Sequence, residues 1–140
     1  MKPNGLANLP EPLSATVFVN GEDVAWEQKD CANAIEWLCQ NGYAILGIEL
    51  WLIEESGIRT AIRTKSGPAM YVTSCDPVKG ESWDSYVERS ARDATEKINQ
   101  FHWPDDSLES PRPVYFNLCW ADLEWFRTHK ANGAHSFDER

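Results

Sequence analysis

Eleven consecutive residues, Tyr43-Ala-Ile-Leu-Gly-Ile-Glu-Leu-Trp-Leu-Ile53, constrain the fold of this chain more than any other stretch. The even positions Ala44, Leu46, Ile48, Leu50 and Leu52 are uniformly apolar, whereas the odd ones include Gly47, Glu49 and Trp51. Successive side chains of a strand point to opposite faces, so this alternation predicts a long central strand with its even positions in the core. Glu55-Ser56-Gly57 then fits a three-residue hairpin loop, with Gly57 supplying a left-handed conformation. That loop sets Leu50 opposite Ile62 on the core face. On the other face it sets Glu49 opposite Arg63, a structural ion pair, and Trp51 opposite Ala61. A long hairpin excludes a purely parallel sheet. The fold class is therefore α+β, a mainly antiparallel sheet of about four to six strands with two or three helices packed against it.

The remaining segments fill in that frame. Ala15 to Val19 is β-prone and ends at Asn20-Gly21, a hairpin signal, with Val24 to Glu27 as the return strand. Asp30 is placed to cap a helix running to Asn41, with Gly42 as its stop. Cys31, Ala34, Ile35 and Leu38 share its apolar side, and Trp37 falls with Glu36 on the polar side, which makes it the clearest candidate for an exposed aromatic. Ser66-Gly67-Pro68 reads as a turn and Met70 to Ser74 as a strand. Ser82 caps the longest helix, to about His102, with Trp83, Tyr86, Val87, Ala91, Ala94, Ile98 and Phe101 at helical spacing. Glu88 with Arg92 and Asp93 with Lys97 are expected i,i+4 pairs. Val114 to Cys119 is a short strand and Ala121 to His129 a final helix.

A chain of 140 residues suits one core. Residues 1–14, with Pro3, Gly5, Pro10 and Pro12, form an expected flexible lead-in; 15–130 make the domain and 131–140 a frayed tail. Cys31, Cys39, Cys75 and Cys119 contain no C-x-x-C pair and are expected to be reduced, mostly buried thiols. The N-terminus lacks an apolar signal region, and the longest apolar run is too short and interrupted to span a bilayer. The expectation is a soluble, cytoplasmic protein.

Charge narrows the partners. The formal net charge is −9, and between Asn20 and Ser56 eight acids face Lys29 alone, which places −7 of that total in the first half. From Gly57 to Cys75 the balance reverses, with Arg59, Arg63 and Lys65 and no acid. Nucleic acid and anionic membranes are excluded as direct partners, because both need Lys and Arg. A basic protein would instead be attracted. Seven tryptophans lean the same way, since tryptophan is enriched in binding hot spots.

Catalytic signatures are lacking. His102, His129 and His135 have no zinc spacing, Lys65-Ser66-Gly67-Pro68 is not a phosphate loop, and no G-x-S-x-G elbow occurs. No metal and no cofactor is expected. Glu49 with Glu54 and Glu55 leaves a small carboxylate-dependent hydrolase as one alternative. A module that self-associates through its tryptophans is another.

Three segments together resemble the Imm40-like immunity proteins of bacterial polymorphic toxin systems. They are Ala34-Ile35-x-x-Leu38 leading through Gly42 into Ala44-Ile45-Leu46-Gly47-x-Glu49-x-Trp51; Ser85-Tyr86-Val87-x-x-Ser90 with Ala94 and Ile98; and Val114-Tyr115-Phe116. Ile48 stands where the pattern has a second glycine, Glu49 where it has an aspartate, and a further helix follows the last strand. The resemblance implies a cytoplasmic, non-enzymatic protein that binds and neutralises a cognate toxin. Glu36, Trp37, Glu49, Trp51, Glu54 and Glu55 are the expected partner-binding residues, the acids steering and the tryptophans anchoring.

Overall fold

The computed structural model describes residues 9–129. Within them lie four helices, α1 (Leu13–Thr16), α2 (Cys31–Gln40), α3 (Trp83–Asn99) and α4 (Leu123–His129). Eight strands are β1 (Phe18–Asn20), β2 (Asp23–Glu27), β3 (Ala44–Glu54), β4 (Gly57–Arg59), β5 (Ala61–Thr64), β6 (Gly67–Met70), β7 (Val72–Ser74) and β8 (Tyr115–Ala121). Six of them form one antiparallel sheet ordered β1-β2-β8-β3-β4, with β7 also paired to β3; β5 and β6 form a separate hairpin. The expected α+β class and antiparallel sheet are observed. The tail 131–140 and the first eight residues of the lead-in lie outside the described residues; Leu9 and Leu13 pack into the core.

β3 is the centre of the molecule, but it is not uniform. A β-bulge between Ile45 and Gly47 shifts its register against β8. The extra residue inverts the alternation, so Ile45 faces the core while Leu46 is half-buried. The Ile45 amide donates to the buried Ser90 Oγ at 2.9 Å, and Ser90 donates in turn to Val87 O at 3.0 Å. At Gly47 a Cβ would stand 2.9 Å from Thr73 O, so glycine lets β7 lie close against β3 here. Leu50 N–H to Tyr71 O and Cys75 N–H to Leu46 O, both 3.0 Å, fix that pairing.

The expected hairpin register is corrected. Glu54 pairs with Gly57 and Leu52 with Arg59, so the loop is the two residues Glu55-Ser56. Beyond Arg59 the chain leaves β3. Glu109 draws β5 away: it accepts the Arg63 N–H at 2.7 Å, while Leu108 N–H donates to Arg63 O and Lys65 N–H to Asp106 O. Arg63 therefore sits opposite Pro68, and Glu49 sits between Val72 and Asn117, so the proposed Glu49–Arg63 pair does not form. Pro68 is a strand residue, not a turn residue, and Tyr71 separates β6 from β7. Near the N-terminus, Ala15 and Thr16 belong to α1, whose first-turn Ser14 hydroxyl donates to Glu11.

α2 ends as expected. Gly42 adopts φ 82°, its N–H donates to Cys39 O, and Tyr43 N–H donates to Leu38 O, a Schellman closure. Ser82 caps α3 by accepting the Ser85 N–H at 3.1 Å. The ion pairs of α3 differ from expectation. Arg89 takes Asp93 at 3.6 Å and Glu81 at 2.7 Å, and its Nη2 donates to Asp76 O, tying the segment before the helix to its first turns. Of the cysteines only Cys31 is buried, its thiol pushed up to about 12 by burial; Cys39 and Cys75 are half-buried and Cys119 is exposed.

Candidate protein-binding face

Cross-strand partners share a face of a sheet. The registers place Val24, Trp26, Ile48, Leu50, Leu52, Phe116 and Leu118 on one side, where they join Ile35 and Leu38 of α2 and Ala94 and Ile98 of α3 in the main core. The other side carries Phe18, Asp23, Glu27, Glu49, Trp51, Tyr115, Asn117 and Val72. Neither core cluster contains a residue of this second face.

Three aromatic rings form its middle. Phe18 stands edge-on to Trp51 with centroids 6.2 Å apart, and 5.9 Å from Tyr115, which is the cross-strand partner of Trp51. Trp51 is covered to 5 % exposure, and its Nε1–H donates to Glu49 Oε1 at 3.1 Å, which orients that carboxylate; Phe18 and Tyr115 stay half-exposed. Asp23, Glu27 and Glu49 surround the rings. The strands β1, β2, β3 and β8 contain no lysine or arginine. Every charged residue that these four strands place on the face is acidic.

A different arrangement closes the far end of β3. Arg59 forks onto Glu109 with bonds of 2.7 and 2.8 Å and onto Glu54 at 2.7 Å, and Arg112 adds a bond to Glu54 at 2.9 Å. These guanidinium bonds, Arg59 first, hold the Glu54 and Glu109 carboxyls at about 2. A carboxylate so held stays ionised and is a weaker base than a free one.

The model of one protein family, Immunity protein 40, matches residues 13–119. This chain belongs to that family. No curated protein and no solved structure matches it. The match to Immunity protein 40 runs from α1 to near the end of β8 and includes every strand of the acidic face; α4 lies beyond it. Among the described residues, no helix is long and apolar enough to cross a membrane.

The pattern that suggested this immunity-protein family serves architecture. Gly47 admits β7, Ser90 satisfies the bulge amide, and the Tyr86 hydroxyl donates to Cys75 O at 2.6 Å. The six expected partner-binding residues fall in three places. Glu49 and Trp51 come together on the acidic face. Glu36 and Trp37 lie on α2, across the sheet from it. Glu36 is exposed, but Trp37 is half-buried, stacked on Tyr43 at 6.3 Å and packed against the core, so it is not the exposed aromatic expected. Trp51 also presents almost no surface. Glu54 is engaged by two arginines, and Glu55 is exposed at the hairpin tip. Phe18, Tyr115, Asp23 and Glu27 were not singled out by sequence reasoning. The alternation Tyr115, Asn117, Cys119 against Phe116, Leu118, Trp120 carried a signal for Tyr115, but only the pairing of β8 with β2 and β3 gives it neighbours.

Proposed function

We propose that this Immunity protein 40 member binds and neutralises a cognate toxin domain, stoichiometrically and without catalysis, by docking the acid-bearing face of its sheet onto a basic surface of that toxin. One observation carries the reading: Asp23, Glu27 and Glu49 ring the Phe18–Trp51–Tyr115 cluster on strands devoid of basic residues. Acids at such a surface accelerate encounter with a cationic partner, and aromatic rings supply the contact area that holds it. Trp51 supports Phe18 and aims Glu49; Phe18 and Tyr115 make the contact. The cytoplasm, where a producing cell needs protection, is the matching compartment, and no cofactor is required.

The test takes candidate toxin domains from among the genes neighbouring the one for this chain. This chain and one of them should form an equimolar complex that abolishes toxin activity, with an association rate that falls steeply as salt rises. An inactive mixture with no complex, or inhibition that turns over at substoichiometric amounts, would contradict the proposal.

A further inference from the structure

A second surface lies at the edge of the sheet. The bonds on Tyr71 O and Cys75 N set the phase of β7, so Tyr71, Thr73 and Cys75 turn their main-chain groups toward β3. Val72 and Ser74 turn theirs the other way, where they meet no partner among the described residues, and both are exposed. Edge strands are commonly blunted by proline or lysine. β6 has Pro68 in this role; β7 has neither residue. Gly47, Tyr86 and the β3 ladder hold β7 in its extended form before anything binds, which removes the ordering cost of a template strand.

Beside that edge a groove of about 480 Å³ opens between β7 and the C-terminal end of α3. Ile48, Tyr71, Phe101 and Phe116 line it, and Met70 and Val72 at its margin are 60 % and 53 % exposed, among the most exposed large apolar side chains described. The one formally charged side chain lining it is Lys97, which forms none of the ion pairs of the described residues; no carboxylate lines it. In a protein of net charge −9, Lys97 gives this rim a positive charge. A second copy is a poor fit, because it would bring the same lysine and the same negative total against themselves.

We infer that the free edge of β7 accepts an extended polypeptide segment as an added strand, with apolar side chains entering the groove at alternate positions and a carboxylate on the same side meeting Lys97. Main-chain bonds supply the affinity of such an addition and the groove its selectivity. The inference does not require the partner to be a toxin.

The probe is the peptide acetyl-Thr-Val-Lys-Val-Thr-Glu-amide, titrated to millimolar concentration into isotope-labelled protein and followed by amide NMR. The Val72 and Ser74 amides should shift saturably, and a peptide with proline in place of its lysine should fail to bind. Val72→Pro removes an outward donor that makes no bond to β3 and should abolish the shifts. Lys97→Glu, at an exposed position of α3, should weaken binding about five- to tenfold. Absence of a saturable shift at Val72 and Ser74, or shifts confined to Phe18 and Tyr115, would overturn the inference. So would concentration-dependent protection of those amides without peptide, which would give the edge to a second copy.

Discussion

Ser90 shows how much of this architecture rests on single groups. Its hydroxyl is buried, accepts a hydrogen bond from the Ile45 amide freed by the bulge, and donates its own to Val87 O. Ser90→Ala would leave a buried N–H without a partner, at a cost of about 1–3 kcal/mol. Chemical denaturation should show a lower midpoint with an unchanged slope; an unaltered midpoint would mean that Ile45 N finds another acceptor. The same scale explains why Trp37 misled the sequence reading. Its position on the helical wheel is polar, yet the ring is wide enough to reach over the helix flank and stack on Tyr43, which the Gly42 turn brings back beside it.

At the scale of elements, the Glu54–Arg59–Glu109–Arg112 cluster joins the β3–β4 hairpin to the loop before β8. Glu54 and Glu109 titrate at about 2 instead of the ordinary 4.5. Their folded values are depressed, so their stabilisation is complete above the ordinary carboxylate value and is lost as pH falls from about 4.5 toward about 2. Wild-type Tm should therefore drop steeply across that window. Glu109→Gln should lower Tm at neutral pH and flatten the drop; an identical pH profile would show that the cluster contributes nothing.

Local signals made several elements legible. The Ser82 cap and the apolar spacing of α3, the Gly42 stop of α2 and the alternation of β3 beyond Gly47 each need only neighbours in sequence. What could not be read depends on distant partners. β5 leaves β3 because Glu109 and Leu108, more than forty residues later, take its backbone; no local residue announces that capture. The bulge at Ile45 is likewise invisible without β8 and Ser90. Half of the candidate face suffered the same way: Glu49 and Trp51 were readable from β3 alone, but Phe18 and Tyr115 become its neighbours only through β1, β2 and β8.

For the molecule as a whole, the decisive property is which acids share a surface. The net charge of −9 is not gathered on one side: Glu36 lies on the helix layer, Glu54 is neutralised by arginines, and Glu49 joins Asp23 and Glu27 on strands without any base. An immunity protein recognising its toxin through that face should be sensitive to charge there and indifferent to it across the sheet. The most direct measurement is the affinity of two charge-reversal variants, each verified as folded by circular dichroism, for a toxin domain that the wild type binds. Glu49→Lys should weaken binding by about a hundredfold, because a like charge placed in the contact costs several kcal/mol; Glu36→Lys should change it less than about threefold, the size of a peripheral charge effect. Equal losses, or the larger loss at Glu36, would contradict docking through the sheet face.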